Sequence, residues 1–320
     1  MAFNQSAVPL HIIVLAGGDS PERAVSLRSG SAVAAALVGA GHCVTRIDPA
    51  EMALDAVDWS NCDACFIALH GGAGEDGRVQ QQLELLGVPY TGGGPEACRL
   101  AMSKSAAKQR CAAHGVPTLD WCVTDAEDLT RGSRAANVAK RVAPLGYPLI
   151  VKPDGQGSSL GIMIVSSPKE LSAAIAAAER FDEQCLIEPY VAGREFTVAL
   201  LDEQALPPIE IVSPERVFSY EAKYLSAATE YRFEFEMAES VRDEITQSAV
   251  AASRALGAAG LSRVDLIVDN DARVWVLELN TVPGMTARSL APLSAARAGL
   301  DMTALCDLLV RRCLSHSGVS

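Results

Sequence analysis

Two strands late in the chain set the tightest limit on its fold. Residues 263–268 read Arg-Val-Asp-Leu-Ile-Val and residues 273–280 read Arg-Val-Trp-Val-Leu-Glu-Leu-Asn. Strand side chains alternate between two faces. Arg263 and Asp265 therefore share a face, and so do Glu278 and Asn280. The link Asp269-Asn270-Asp271 is short and turn-prone, which predicts an antiparallel hairpin. With Asp265 opposite the Glu278/Asn280 pair, three oxygen donors converge. Hard oxygen donors suit Mg²⁺, and Mg²⁺ held this way usually also binds substrate phosphates. The hairpin thus points to a chain that handles a nucleoside triphosphate.

The rest of the sequence is compatible with a globular enzyme. Its 320 residues are enough for two or three domains. No apolar run approaches the roughly 18 residues that span a bilayer, and the first residues lack the basic and apolar regions of a signal peptide. A formal net charge of −12 argues against nucleic acid and anionic membrane as partners. An anionic substrate must then be held by a few local cations. The nine cysteines are scattered and odd in number, which reads as reduced cytosolic thiols. Cys62 and Cys65 form a CxxC that runs into an apolar strand. With no second Cys/His pair to complete a zinc site, packing explains it better than redox chemistry.

In the first third, strands at 11–15, 44–47 and 65–69 alternate with helix, which predicts a parallel sheet with functional loops at its carboxyl ends. Two such loops are Gly17-Gly18 and the stretch 70–77. Ser20 and Pro21 suit the start of a helix that runs to about Ala40. Further on, the pattern predicts a helix near 104–114, strands at 148–152 and 162–165, and a helix from Pro168. Leu186-Ile187-Glu188 reads as a further edge of the same sheet. Strands at 195–201 and 209–212 precede an irregular polar stretch, about 214–236. Helices follow at about 240–258 and 302–313.

The segment 152–161 places Gly155, Gly157 and Gly161 directly after a strand. Closely spaced glycines let backbone N–H groups approach phosphate oxygens. The spacing does not fit a P-loop. A strand follows rather than a helix, which also excludes the dinucleotide-binding turn. The loop reads either as an ordinary hairpin turn or as a flap that closes over a triphosphate; Lys152 at its base and the acidic hairpin downstream favour the flap.

Taken together, the motifs 15–23, 70–77, 152–161, 220–224 and 278–286 resemble those of the D-alanine–D-alanine ligases of the ATP-grasp superfamily, over about residues 11–300. The resemblance implies an α/β protein of three domains. They are an N-terminal substrate-binding domain with a Rossmann-like parallel sheet (1–98), a central ATP-grasp domain with the glycine flap (99–191), and a C-terminal ATP-grasp domain with an omega-like loop and the Mg²⁺ site (192–320). It implies that ATP phosphorylates the carboxylate of one D-alanine and that the amine of a second attacks the acyl phosphate. Phosphoryl transfer of this kind needs positioning and charge neutralisation more than a protein nucleophile. A role in peptidoglycan synthesis, a cytoplasmic location and a homodimer follow from the same resemblance.

Residue roles implied by the resemblance are these. Asp265, Glu278 and Asn280 match the ligands of two Mg²⁺ ions, with Mn²⁺ an admissible substitute. Arg263 matches a neutraliser of the transferred phosphoryl group, and Gly284 a backbone donor to the developing oxyanion. Lys104, Lys152 and Lys223 match lysines on the ATP phosphates. Glu188, Val191, Glu195 and Leu277 match the surroundings of adenine and ribose. Glu22 matches the carboxylate that binds the ammonium of the first D-alanine, with Ser158 and Tyr224 as its hydrogen-bonding partners. His70 matches a residue near the first substrate, although a buried histidine at a strand end reads the same way. Ser289 and Leu290 match the pocket of the second amino acid. Gln156 stands where an acidic residue is common, and the flank 230–236 is more acidic than usual and lacks a proline. Two alternatives remain: a depsipeptide ligase using D-lactate, which usually carries Phe at the place of Tyr224, and an ATP-binding module without turnover.

Overall fold

The computed structural model describes residues 8–124, 134–157, 160–214 and 228–316. The expected partners Ser158, Lys223 and Tyr224 lie outside the described residues.

Three sheets follow one another along the chain. In the first, β1 (His11–Leu15) lies between β2 (Cys43–Ile47) and β3 (Ala64–Ile67), all parallel, with α1 (Arg23–Gly39) as the first crossover. This is the parallel sheet expected from the alternation. Helices α2 (Arg78–Leu85), α3 (Pro95–Met102) and α4 (Lys104–Ala113) lead away from it. The second sheet is antiparallel. It comprises β4 (Cys122–Val123), β5 (Leu149–Pro153), β6 (Met163–Val165) and β7 (Cys185–Pro189) in the order β4-β7-β5-β6, with α5 (Arg134–Val142) and α6 (Pro168–Ala178). The strand expected at an edge, Leu186-Ile187-Glu188, is interior: β5 pairs with one side of it and the short β4 with the other. Its side chains from Cys185 to Glu188 are all buried, which suits an inner strand.

The third sheet is also antiparallel. Strands β8 (Gly193–Leu201), β9 (Gln204–Ala205), β10 (Ile209–Val212), β11 (Glu230–Arg232), β12 (Leu261–Asp269) and β13 (Val274–Asn280) run in the order β11-β10-β8-β12-β13, with β9 on β8. β11 falls inside the stretch expected to be irregular. α7 (Glu239–Leu256) covers one face of this sheet, burying Ile245, Ala249 and Ala252 against Phe196, Val264 and Leu279. The helix ends at Gly257, whose φ of 67° supplies the left-handed turn that stops it. Two helices close the chain, α8 (Leu290–Arg297) and α9 (Met302–His316). α9 joins a core shared by the third sheet, through Ala199, Leu201 and Leu261, and the first. Its Leu305, Leu309 and Val310 pack into the core that also holds Ile12 and Val14 of β1 and Val33 and Leu37 of α1. His42 and Asp307 reinforce that junction at 2.8 Å.

The cysteines are free thiols. Burial pushes the Cys62 and Cys65 thiols up, so neither is a poised thiolate.

Candidate active site

The cleft lies between the second and third sheets, and strand alternation explains which residues reach it. On β7, Cys185 and Ile187 join the core under α6, which turns Leu186 and Glu188 to the other face. The register pairs Ile150 with Glu188 and Lys152 with Leu186, so Ile150, Lys152 and Glu188 share that face. On β12, Val264, Leu266 and Val268 enter the core under α7, leaving Arg263, Asp265 and Ile267 to the cleft. Asp265 pairs directly with Glu278, and Arg263 with Asn280.

A β-bulge refines this picture. The register shifts between Asp265 and Leu266, so Leu266 pairs with Val276 and Leu277 is the extra residue. Strict alternation would put Val276 on the face of Glu278. With the bulge, Val276 and Leu279 both bury beneath α7, while Leu277 and Glu278, neighbours in sequence, both line the cleft. Bulges commonly re-aim side chains beside active sites in this way.

The cleft has an apolar and a polar part. The apolar slot is lined by Ile150, Ile162, Val191 and Leu277, with Glu188, Glu195 and Lys152 among its polar groups. Glu188 is 1 % exposed. Lys152 Nζ lies 2.5 Å from its Oε1 and Lys108 Nζ 2.9 Å from its Oε2. Burial alone would push this carboxyl up, but the two ammonium groups outweigh it and bring it down to about 2. Lys108 is pushed down by its burial and by Lys152, with Glu188 opposing. One anion thus serves two cations, and the anion is the member that gains.

The polar pocket is lined by Glu22, Lys104, Gly157, Arg263, Glu278 and Asn280, among others. Glu22 is the N-cap residue of α1. The expected cap, Ser20, instead accepts the Glu22 N–H at 3.1 Å and donates to the His70 carbonyl at 2.5 Å. The Glu22 carboxylate lies close to two glycines. A Cβ on Gly71 would come within 2.8 Å of its Oε2, and one on Gly157 within 3.4 Å. The glycine hairpin between β5 and β6 therefore reaches the first sheet's loop without a side chain between them. Its base is fixed by Asp154, which accepts from Ser105 N at 2.7 Å and from Ser103 Oγ at 2.7 Å, and by Asp182, which accepts from Gly155 N at 2.5 Å. Lys104 donates to the Gln156 carbonyl at 2.5 Å and lies 4.0 Å from Glu278.

The oxygen donors of the hairpin suit a divalent cation. Asp265 is gripped by the Arg263 guanidinium at 2.9 Å on both oxygens and by Thr197 Oγ1 at 2.7 Å. The Asn280 amide oxygen accepts the Val282 N–H at 2.9 Å, which fixes its direction and leaves a second lone pair. Two carboxylates and an amide oxygen, adjacent by register, form a hard donor set of the kind Mg²⁺ takes.

Other expected residues lie further off. His70 is outside the polar pocket's lining. Its Nε2 lies 2.8 Å from Ser29 Oγ and its Nδ1 3.1 Å from the Val282 carbonyl. Ser29 Oγ also accepts the Met285 N–H at 3.2 Å. His70 and Ser29 thus brace the turn 282–285, which carries Gly284. Ser289 Oγ accepts the Thr286 N–H at 3.0 Å, and a Cβ on Gly284 would come within 2.8 Å of it. Leu290 packs with Ile209 and Ile211 of β10. Lys108 and Ser29 are absent from the sequence-based expectations. Lys108 has a signal there, because it stands one helical turn from Lys104 on α4.

A cleft between two antiparallel α/β layers, with an acid-bearing strand pair at its inner end and a glycine hairpin above it, is the ATP-grasp arrangement, and the class is ATP-dependent ligase. A D-alanine–D-alanine ligase from Bacillus anthracis solved with ATP superposes with a TM-score of 0.81 at 30% identity, covering 96% of this chain and 98% of that one. D-alanyl-alanine synthetase A from Vibrio cholerae superposes with a TM-score of 0.84 at 26% identity, covering 96% of this chain and 99% of that one. The model of the D-ala D-ala ligase C-terminus matches residues 111–311, and that of the N-terminus matches residues 46–93. Among curated relatives, the D-alanine–D-alanine ligase of Bordetella petrii is 43% identical over 95% of this chain and 93% of its own length. That of Gloeobacter violaceus is 42% identical over 95% of this chain and 100% of its own. The chain belongs to the D-alanine–D-alanine ligase family.

Proposed function

We propose that this protein joins two D-alanines into D-alanyl-D-alanine, using ATP through an acyl-phosphate intermediate, and so supplies the dipeptide for peptidoglycan precursors. The observation that carries this reading is the position of Glu278, which lines both the apolar slot and the polar pocket. A nucleotide whose base fills the slot would bring its terminal phosphate to the strand pair 263–265/278–280. An amino acid held by Glu22 would meet it there from the other side.

A carboxylate is a poor acyl donor, and phosphorylation gives it a leaving group. Glu22 binds the ammonium of the first D-alanine, with Ser158 and Tyr224 as proposed partners. Lys104, Lys152 and Lys223 hold the phosphates, and Arg263 neutralises the phosphoryl group in transfer. Asp265, Glu278 and Asn280 would hold two Mg²⁺ ions, or Mn²⁺ in their place, which when bound would add charge neutralisation at the phosphates. The Gly284 N–H faces the oxyanion that forms when the second amine attacks. Ser289 and Leu290 form the pocket of the second D-alanine, with Ser289 taking its carboxylate. His70 acts through the turn 282–285 that presents Gly284, since its ring nitrogens are engaged there. The base sits among Glu188, Val191, Glu195 and Leu277.

The three sheets are read as three domains, 1–98, 99–191 and 192–320, with α9 lent by the third to the first. No described helix is long and apolar enough to cross a membrane. A cytoplasmic homodimer acting without nucleic acid or membrane is the working arrangement, and sedimentation velocity checks the dimer. Incubation with ATP, Mg²⁺ and D-alanine should release phosphate and form the dipeptide in equal amounts. Absence of both products would overturn the reading. Competition between D-alanine and D-lactate separates it from depsipeptide synthesis.

A further inference from the structure

Glu188 is the anion of a fully buried three-member cluster, and one of its cations has no role in the reading above. Lys108 is 3% exposed. It donates to Thr118 Oγ1 at 2.9 Å and to the Leu119 carbonyl at 3.1 Å, and its ammonium lies 5.6 Å from the centre of the Trp121 ring. Its remaining side faces Glu188 Oε2 at 2.9 Å. Thr118 is itself held, in a bridge to Val276 of β13. An ammonium so fully occupied has no donor left for a ligand. Of the groups Lys108 holds, Leu119 and Glu188 line the slot, and Glu188 is the one that brings charge to it.

The two oxygens of Glu188 are not equivalent. Oε1 accepts a hydrogen bond from Lys152. Oε2 faces the Lys108 ammonium at 2.9 Å, off the ideal hydrogen-bonding direction, so among the described residues its acceptor capacity is not filled. A buried acceptor in that state favours a partner that brings an N–H. Apolar side chains of both sheets, Ile150 and Leu277 among them, flank the slot in which such a partner would lie. A flat heterocycle with an exocyclic amino group meets both demands.

We propose that Lys108 is a positioning residue that sets the slot's preference for a 6-aminopurine over a 6-oxopurine, by holding Glu188 Oε2 as a fixed hydrogen-bond acceptor. The inference rests on the reading that the nucleotide's base lies against Glu188. A 6-amino group donates to a carboxylate. A 6-oxo group presents a second acceptor to it and is repelled. The ionised carboxylate accepts only, whereas a protonated one also donates and tolerates either base. Lys108 supplies one of the two charges that hold Glu188 ionised in a buried place.

Steady-state kinetics of Lys108→Met, Lys108→Arg and Glu188→Gln with ATP and with ITP test this, with KM for D-alanine measured alongside. In Lys108→Met the ATP/ITP ratio of kcat/KM should fall by about 10-fold or more, because a lost polar match at a buried site discriminates strongly. KM for ATP should rise as pH is lowered, while KM for D-alanine stays within about two-fold of the parent, as expected for separate sites. Lys108→Arg keeps the charge and should retain most of the ratio. A uniform loss of kcat with an unchanged ratio in Lys108→Met overturns the inference. Should that variant fail to fold, Lys108→Gln, which also removes the charge, is read in the same way: a fall in the ATP/ITP ratio supports the inference and an unchanged ratio overturns it. Glu188→Gln separates the two levels of the argument. An unchanged ATP/ITP ratio there refutes the placement of the base. A changed ratio there with an unchanged one in Lys108→Met refutes the role of Lys108 alone.

Discussion

The two halves of the cleft are built on opposite plans. In the apolar slot, Glu188 is enclosed by Lys108 and Lys152 and all three are buried. In the polar pocket the charges are spaced more loosely: Glu278 is 28% exposed and stands 4.0 Å from Lys104, which spends its short hydrogen bond on the backbone of the glycine hairpin. The first arrangement is preorganised: its charges are paired before a ligand arrives. In the second, Lys104 can turn its remaining N–H donors to a phosphate while it holds the Gln156 carbonyl. Recognition is thus concentrated at one end and chemistry at the other.

The sharpest way to break this contrast is to neutralise an acid at the loose end. Asp265→Asn or Glu278→Gln should lower kcat by about 100-fold or more, as removal of one electrostatic stabiliser typically does. Melting temperature, measured by circular dichroism, should be nearly unchanged in Glu278→Gln and lower in Asp265→Asn, which weakens the hold on the mostly buried Arg263 while the fold persists. Full turnover in both variants would end the assignment of the strand pair to phosphoryl transfer. A milder loss is expected at Glu22. Glu22→Gln should raise KM for the first D-alanine by roughly 10-fold, through one lost charge-assisted hydrogen bond. KM for ATP should hold in the same assay, and a parallel rise would join the two halves that the contrast separates.

The enclosed end should show itself in stability instead. The Glu188 carboxyl is held down at about 2, against burial, by its two lysines. Its contribution is complete above its unfolded value near 4.5 and is lost as pH falls from there through about 2. Over that window it amounts to something on the order of 3 kcal/mol. Glu188→Gln should therefore flatten the acid limb of urea-unfolding stability while lowering stability at pH 7, where it leaves two buried ammonium groups without their anion. An unaltered acid limb would place the acid sensitivity elsewhere. The smallest effect is expected at the CxxC. Cys62→Ser should change turnover and stability by no more than about 0.5 kcal/mol, as for ordinary substitutions away from a site, and a large loss would make that pair a third functional region.

The contrast also explains which parts were legible from sequence. The acid-bearing face of 263–280 is a matter of alternation and turn chemistry, both local, so the pairing of Asp265 with Glu278 could be read directly. The bulge at Leu277 could not: alternation alone sends Leu277 and Glu278 to opposite faces, and only the packing of Val276 and Leu279 under α7 shows otherwise. Leu186-Ile187-Glu188 read as an edge because β4 is only two residues long and carries no strand signal of its own. Ser20 does accept an N–H just ahead of α1, that of Glu22, but what anchors its hydroxyl is the His70 carbonyl 50 residues away. Lys108 was missed because a lysine on a helix reads as a solvated charge until its partners are known. In each case the deciding contact joins segments far apart in the chain, which no window of sequence contains.

The packing of α9 against α1 and β1 bears on biogenesis. During translation the first sheet emerges early, but one wall of its core is encoded more than 200 residues later. Until Leu305, Leu309 and Val310 leave the ribosome, that sheet exposes an oily face to the cell. A fragment ending before this helix should be retained by chaperones rather than fold, and the nascent protein should mature only once that helix has emerged.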